Sequence, residues 1–211
     1  MAGKAAFASV LGPHQLGVGM QNGIEKIIHS AWAFLRRAGP MLAALDLKNA
    51  FNMVSRRAIA EALQKFFPAE LPWFLACYGS ASTCATYTGG LIHDVLAGVA
   101  QGDSQSPFYL AAALHDVVCS LSAKFPSVWF MFYADNVHLL STDYISWLAA
   151  QEALIDAIHP LSLSLNVKQC HFFGSGIQAG FEKHWHGEPD GVIVLGSLIG
   201  LPDYVEQFVK A

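Results

Sequence analysis

The chain has 211 residues, enough for one domain with a proper core. Hydrophobic residues make up 54% of it and charged residues only 13%, against about 25% in an ordinary soluble domain, so parts of the surface must be apolar and suited to burial against partners. The net charge of −4, with 12 scattered Lys and Arg, argues against a strong, independent grip on nucleic acid.

The longest apolar run, 110–121, is interrupted by His115 and Asp116 and falls short of the roughly 18 residues that span a bilayer, so no transmembrane segment is expected. Residues 1–10 are small and Ala-rich with one lysine, a poor secretory signal and a weak organelle presequence. Four cysteines without CxxC spacing read as reduced thiols. They point to a reducing intracellular compartment, with an organelle left open.

Gly12-Pro13 with Gly17 and Gly19 marks an opening loop. The spacing of Ile24, Ile27, Ile28, Ala31, Phe34 and Leu35 predicts a helix over 23–37, stopped by Gly39-Pro40. Residues 41–45 read as a buried strand with Asp46 at its exit. Ser55 is the expected N-cap of a helix over 55–67, with Ala58, Ile59, Ala62, Leu63 and Phe66 on one face. Pro68 and Pro72 bracket an expected loop, and 83–87 and 91–96 flank Thr88-Gly89-Gly90 as a hairpin.

A polar, glycine-bearing loop over 98–107 leads into a helix over 107–121 with Pro in its first turn. A second hairpin spans 127–140, and its tip carries Asp135. A charge there, between buried strands, is costly unless a cation pairs with it. A helix over 143–159 ends at Pro160, 161–173 reads as an irregular strand, and 192–195 as a last strand before a short tail. The order predicts one α+β domain over 1–211, an antiparallel sheet with helices packed on one face.

Asp46 and Asp135 both sit at strand ends, and side by side they could hold divalent ions that align a hydroxyl with a phosphoryl group. Between them in sequence lies Gln101-Gly102-Asp103, where a glycine permits close backbone approach to a ligand and a helix N-terminus follows. Two weaker clusters stand apart. His184-Trp185-His186 with Glu188 and Asp190 has metal-ligand spacing but equally reads as a surface loop; His115 and Asp116 read as partly buried polar residues.

In this order the segments LDLKNAFN (45–52), GVAQGDSQSP (98–107), YADN (133–136), LNVK (165–168) and VLGSLIG (194–200) resemble the palm motifs of reverse transcriptases of the non-LTR retrotransposon type. HQLGVG (14–19), with Gly23 and Glu25, resembles the segment preceding the first motif. The resemblance implies a polymerase palm-like fold. It makes Asp46 and Asp135 metal ligands for Mg2+, with the Leu47 carbonyl beside them, and puts Phe51 at the sugar 2′ position. Gln101 and Gly102 would lie against nucleotide and template, Lys168 near the leaving pyrophosphate, and Leu195-Gly196 under the primer end. Each has a plainer reading: Phe51 as core, Lys168 as a solvated lysine, Leu195-Gly196 as a strand end, Gln101-Gly102 as a structural turn.

The pattern also departs from the family. Asn136 stands where the YxDD box has its second aspartate, which removes one negative charge from the implied catalytic set of Asp46, Asp135, Asn136 and Lys168. The pattern leads to the expectation of a palm with fingers and thumb largely absent. The sequence therefore predicts a domesticated or degenerate palm, a structural or adaptor subunit bound to other protein subunits, with nucleic acid as a weak partner at most. The alternatives are a working RNA-directed DNA polymerase core or fragment, and a non-catalytic RNA-binding remnant.

Overall fold

The computed structural model describes residues 4–84, 93–177, 186–187 and 190–209. Its elements follow in chain order: α1 (Lys4–Leu11), α2 (Gly23–Leu35), β1 (Met41–Asp46), α3 (Ala50–Met53), α4 (Arg56–Phe66), α5 (Leu71–Tyr78), β2 (Ser82–Cys84), β3 (His93–Val95) and α6 (Ser106–Lys124). After these come β4 (Trp129–Tyr133), β5 (Asn136–Ser141), α7 (Tyr144–Ile158), β6 (His171–Phe173), β7 (His186–Gly187), β8 (Gly191–Val194), β9 (Ser197–Gly200) and α8 (Pro202–Val209).

One sheet with the order β4-β5-β1-β6-β7 organises the chain. β1 is central because nearly every residue in it is apolar, and such a strand is stable only when covered on both faces. It pairs antiparallel with β5, from Met41 opposite Ser141 to Asp46 opposite Asn136, and with β6 on its other side. Among the described strands of this sheet, β6–β7 is the one parallel pair. The outer edge of β4 is capped by residues 14–16: Phe132 donates to the His14 carbonyl at 2.8 Å and Leu16 to the Phe132 carbonyl at 2.7 Å.

Alternation along the strands divides the core in two. Met41, Ala43, Leu45, Phe130, Phe132, Val137, Leu139 and Phe172 pack with α4, α6 and α7, so the expected helical layer is present. Leu42, Ala44, Met131, Leu140 and Phe173 face the other way, onto Ile27, Ala31 and Phe34 of α2 and Val192, Val194 and Ile199 of the β8–β9 hairpin. Both faces of the sheet are therefore covered.

Several elements differ from the sequence reading. The loop expected between Pro68 and Pro72 covers only residues 68–70, and an unexpected helix, α5, starts at Leu71 with Pro72 inside its first turn, where a missing N–H costs nothing. Residues 1–10, read only as Ala-rich, contain most of α1, whose Phe7 stacks on Phe108. Leu195 and Gly196, at φ 48° and 81°, form the turn of a β8–β9 hairpin, and α8 replaces the expected tail. The expected irregular strand over 161–173 follows a 3-10 turn at His159–Leu161 and holds a second one at Val167–Gln169 before the short β6. β2 and β3 pair as the first predicted hairpin; its turn over 88–90 lies outside the described residues, as do His184 and Glu188.

Candidate active site

β1 ends at Asp46 because its apolar run ends there, and the β4–β5 turn places Asp135 beside it. The Leu47 amide donates to the Asp135 carbonyl at 3.0 Å, which ties the two strand ends together. Asn136 opens β5 directly across the ladder from Asp46. Ala134, in the turn, has φ 53°, a left-handed conformation that an alanine adopts only under strain. Backbone strain of this kind collects at functional turns.

A third segment closes the site. Leu165 bridges Leu47, the Asn166 amide donates to the Asp46 carbonyl at 2.8 Å, and Lys48 donates to the Ser164 carbonyl at 2.9 Å. This pairing continues beyond the end of β1 and sets the Asn166 side chain against Asp46, where its Nδ2 donates to Oδ2 at 3.1 Å and to Gln169 Oε1 at 2.6 Å. Asn136 Nδ2 donates to Asp135 Oδ1 at 3.3 Å.

Asp46, Leu47, Asn49, Ala50, Phe51, Asn52, Gln101, Asp135, Asn166 and Gln169 line one cleft of about 170 Å³. Residues far apart in sequence thus converge: Asp46, Leu47, Phe51, Gln101 and Asp135 stand together as expected. Lys168 does not line the cleft; it lies exposed on the 3-10 turn beside Gln169. Gly102 sits at the exposed tip next to Gln101 with φ 97°.

Asn49, Asn52, Asn166 and Gln169 join the wall without having been singled out. Asn166 lies in the LNVK segment, whose implied role falls on Lys168. Asn49 is legible in retrospect: it holds φ 48° before α3, a backbone state asparagine tolerates better than most residues.

The cleft is acidic, and among the described residues no lysine or arginine lines it. Burial raises the pKa of Asp46 above the ordinary carboxylate value; the Asn166 hydrogen bond opposes that shift, and the charge of Asp135 adds to it. Two hard carboxylates that repel each other, among amide oxygens and a backbone carbonyl, suit a hard divalent cation such as Mg2+. The residues present therefore fit such an ion.

The chain matches the family model for reverse transcriptase (RNA-dependent DNA polymerase) over residues 4–197. No curated protein matches it. Among solved structures, apo telomerase from Candida tropicalis truncated from its C-terminal domain is similar, with a TM-score of 0.66, 10% identity, and coverage of 93% of this chain and 42% of that one. Telomerase from Candida albicans in complex with a TWJ fragment of telomeric RNA gives 0.62 at 13% identity, over 86% of this chain and 32% of that one. At such identities the likeness shows the fold, a palm-like α+β arrangement. The chain spans 32–42% of the length of these telomerase chains.

Proposed function

The chain belongs to the reverse transcriptase family, and from that premise we propose that it is a degenerate palm of the non-LTR retrotransposon type, without polymerase activity, that serves as a structural or adaptor subunit of a larger protein assembly. The motif order from LDLKNAFN to VLGSLIG supports the retrotransposon type.

One observation carries the loss of chemistry. Asn136 faces Asp46 across the ladder at the position of the second YxDD aspartate. Two-metal transfer gathers two dications, and the negative charge that holds them falls to Asp46 and Asp135 alone. A bound divalent cation would supply alignment of a hydroxyl with a phosphoryl group and neutralisation of developing charge. Asp46 and Asp135 would hold it, with the Leu47 carbonyl beside them. Asn136 adds an amide where a carboxylate would bind more strongly, and Asn166 already occupies one oxygen of Asp46.

The adaptor role is supported by the low charged fraction, 13%, and by large apolar side chains at the surface, including Trp73 and Leu75 of α5 and Ile145 of α7. A nucleic acid partner is at most weak, since 12 basic residues are set against 16 acidic ones and, among the described residues, no lysine or arginine lines the cleft. The telomerase from Candida albicans was solved with telomeric RNA; RNA binding by this chain would show as affinity that falls steeply with salt. Size-exclusion chromatography of the purified chain tests the adaptor role: self-association or a co-purifying subunit is expected. A clean monomer that retains no protein partner would overturn it.

The second reading is a working RNA-directed DNA polymerase core. It is favoured by the convergence of Asp46, Asp135, Phe51 and Gln101 on one cleft, and it requires metal-dependent nucleotide incorporation above that of Asp135→Ala.

A further inference from the structure

Gln101 and Gly102 overhang the cleft as a tip with little packing of its own. Both are exposed, and a Cβ added to Gly102 would meet nothing within 4 Å. The two flanks of this tip end on one side chain. The Tyr78 hydroxyl, on the last residue of α5, accepts from the Ala100 amide at 3.2 Å and donates to Asp103 Oδ2 at 2.6 Å.

Each flank is held once more. Ser106 Oγ donates to the Ala100 carbonyl at 2.7 Å, and the Gln105 amide donates to Asp103 Oδ1 at 3.0 Å. Behind the tyrosine, Arg56 donates from Nε to the Gly98 carbonyl and from Nη1 to the Ser80 carbonyl, both at 2.8 Å, with its guanidinium 5.3 Å from the Tyr78 ring centroid. Burial, reinforced by the Asp103 hydrogen bond, raises the phenol pKa, so the hydroxyl keeps its proton at neutral pH.

We propose that Tyr78 is a positioning residue for the cleft: its hydroxyl, acting through Ala100 and Asp103, fixes where Gln101 stands relative to Asp46 and Asp135. α5 contributes no side chain to the cleft wall and acts only through this bracket. The inference rests on reading the cleft as the nucleotide-facing site of a palm.

Tyr78→Phe keeps the ring and removes the bracket. The amides of Asp103 and Gln105 are the reporters, because their own acceptors, the Ala100 carbonyl and Asp103 Oδ1, survive the substitution. Hydrogen exchange at both should quicken about tenfold while β1 and the interior of α6 are unchanged. Unchanged exchange at both, or an equal rise everywhere, overturns the proposal. Asp103→Asn alters only the Asp103 arm and leaves the Ala100 arm in place, so it should quicken exchange no more than Tyr78→Phe does, and the double variant should loosen the tip no further than Tyr78→Phe alone.

Calorimetric titration with Mn2+ and dGTP supplies the readout that a purely structural role would not move. Mn2+ affinity should match wild type in Tyr78→Phe, while dGTP affinity in saturating Mn2+ falls about fivefold. Unaltered dGTP affinity beside loosened exchange would overturn the positioning role. Absence of dGTP binding by the wild-type chain would instead refute the reading of the cleft, with the exchange result still deciding what Tyr78 does to the tip.

Discussion

Asn136 stands directly opposite Asp46 in the antiparallel β1–β5 ladder, so the amide and the carboxylate share one face of the sheet at its acidic end. Placing a charge at that point should have two opposed effects. Without divalent ions, Asn136→Asp sets like charges across the ladder and lowers stability by roughly 0.2–1 kcal/mol. With Mn2+ or Mg2+ the third carboxylate becomes a ligand, and the variant should gain more in melting temperature than wild type does. Thermal unfolding in chelator and in 5–10 mM metal, about the range used for weak sites, measures both.

Asp46 itself gives a pH signature. Its pKa is raised in the folded chain, chiefly by burial, so the folded state holds its proton to higher pH than the unfolded state does. Its contribution to stability is therefore complete below the ordinary carboxylate value of 3.8 and declines as pH rises through the raised folded value. Asp46→Asn retains an acceptor for Asn166 and removes the ionisation. It should be more stable than wild type at pH 7, by less than about 1 kcal/mol because water reaches much of the site, and equal to it near pH 3. Urea titrations at the two pH values check this.

His138 behaves in the opposite sense. It is buried within β5 on the α2 side, its Nδ1 has no hydrogen-bond partner among the described residues, and burial pushes its pKa down to about 4. An unfolded imidazole takes up a proton near 6.5, the folded one only near 4. Stability from this group is thus full above the unfolded value and is lost as pH falls through that window. His138→Leu should flatten the acid limb between those values by up to about 1.4 kcal/mol per pH unit.

Gly98 joins the loop that bears Gln101 to the α3 segment that bears Phe51. It holds φ 69°, and an added Cβ would run into the Asn52 and Phe51 carbonyl oxygens. Gly98→Ala should therefore cost about 1–3 kcal/mol. It should also displace two walls of the cleft together, since the Gly98 and Val99 amides donate to Val54 and Phe51. Denaturant unfolding gives the first quantity and metal affinity the second.

Much of this arrangement is legible in the sequence where a local rule and the tertiary structure agree. β1 and the β4–β5 hairpin follow from apolar runs closed by Asp46 and by Ala134-Asp135, and α6 from an apolar run opened by Pro107. The missed α5 shows a rule with two outcomes: a proline that breaks a helix interior is at home in its first turn, and only burial of Phe74 and Tyr78 against Tyr109 decides for helix. The cleft wall was legible in Asp46, Phe51, Gln101 and Asp135 through their motifs. Asn166 and Tyr78 were not, because their roles depend on pairing across 120 and 25 residues, to Asp46 and Asp103, which no local pattern encodes.

Primer extension bears most directly on the proposed loss of polymerase chemistry. The purified chain, Asp135→Ala and Asn136→Asp would be compared on an RNA template with a DNA primer, in Mg2+ and in Mn2+. The account predicts incorporation by the wild-type chain no higher than by Asp135→Ala in either metal. Metal-dependent incorporation by the wild-type chain clearly above Asp135→Ala would contradict it and establish the chain as a working polymerase core.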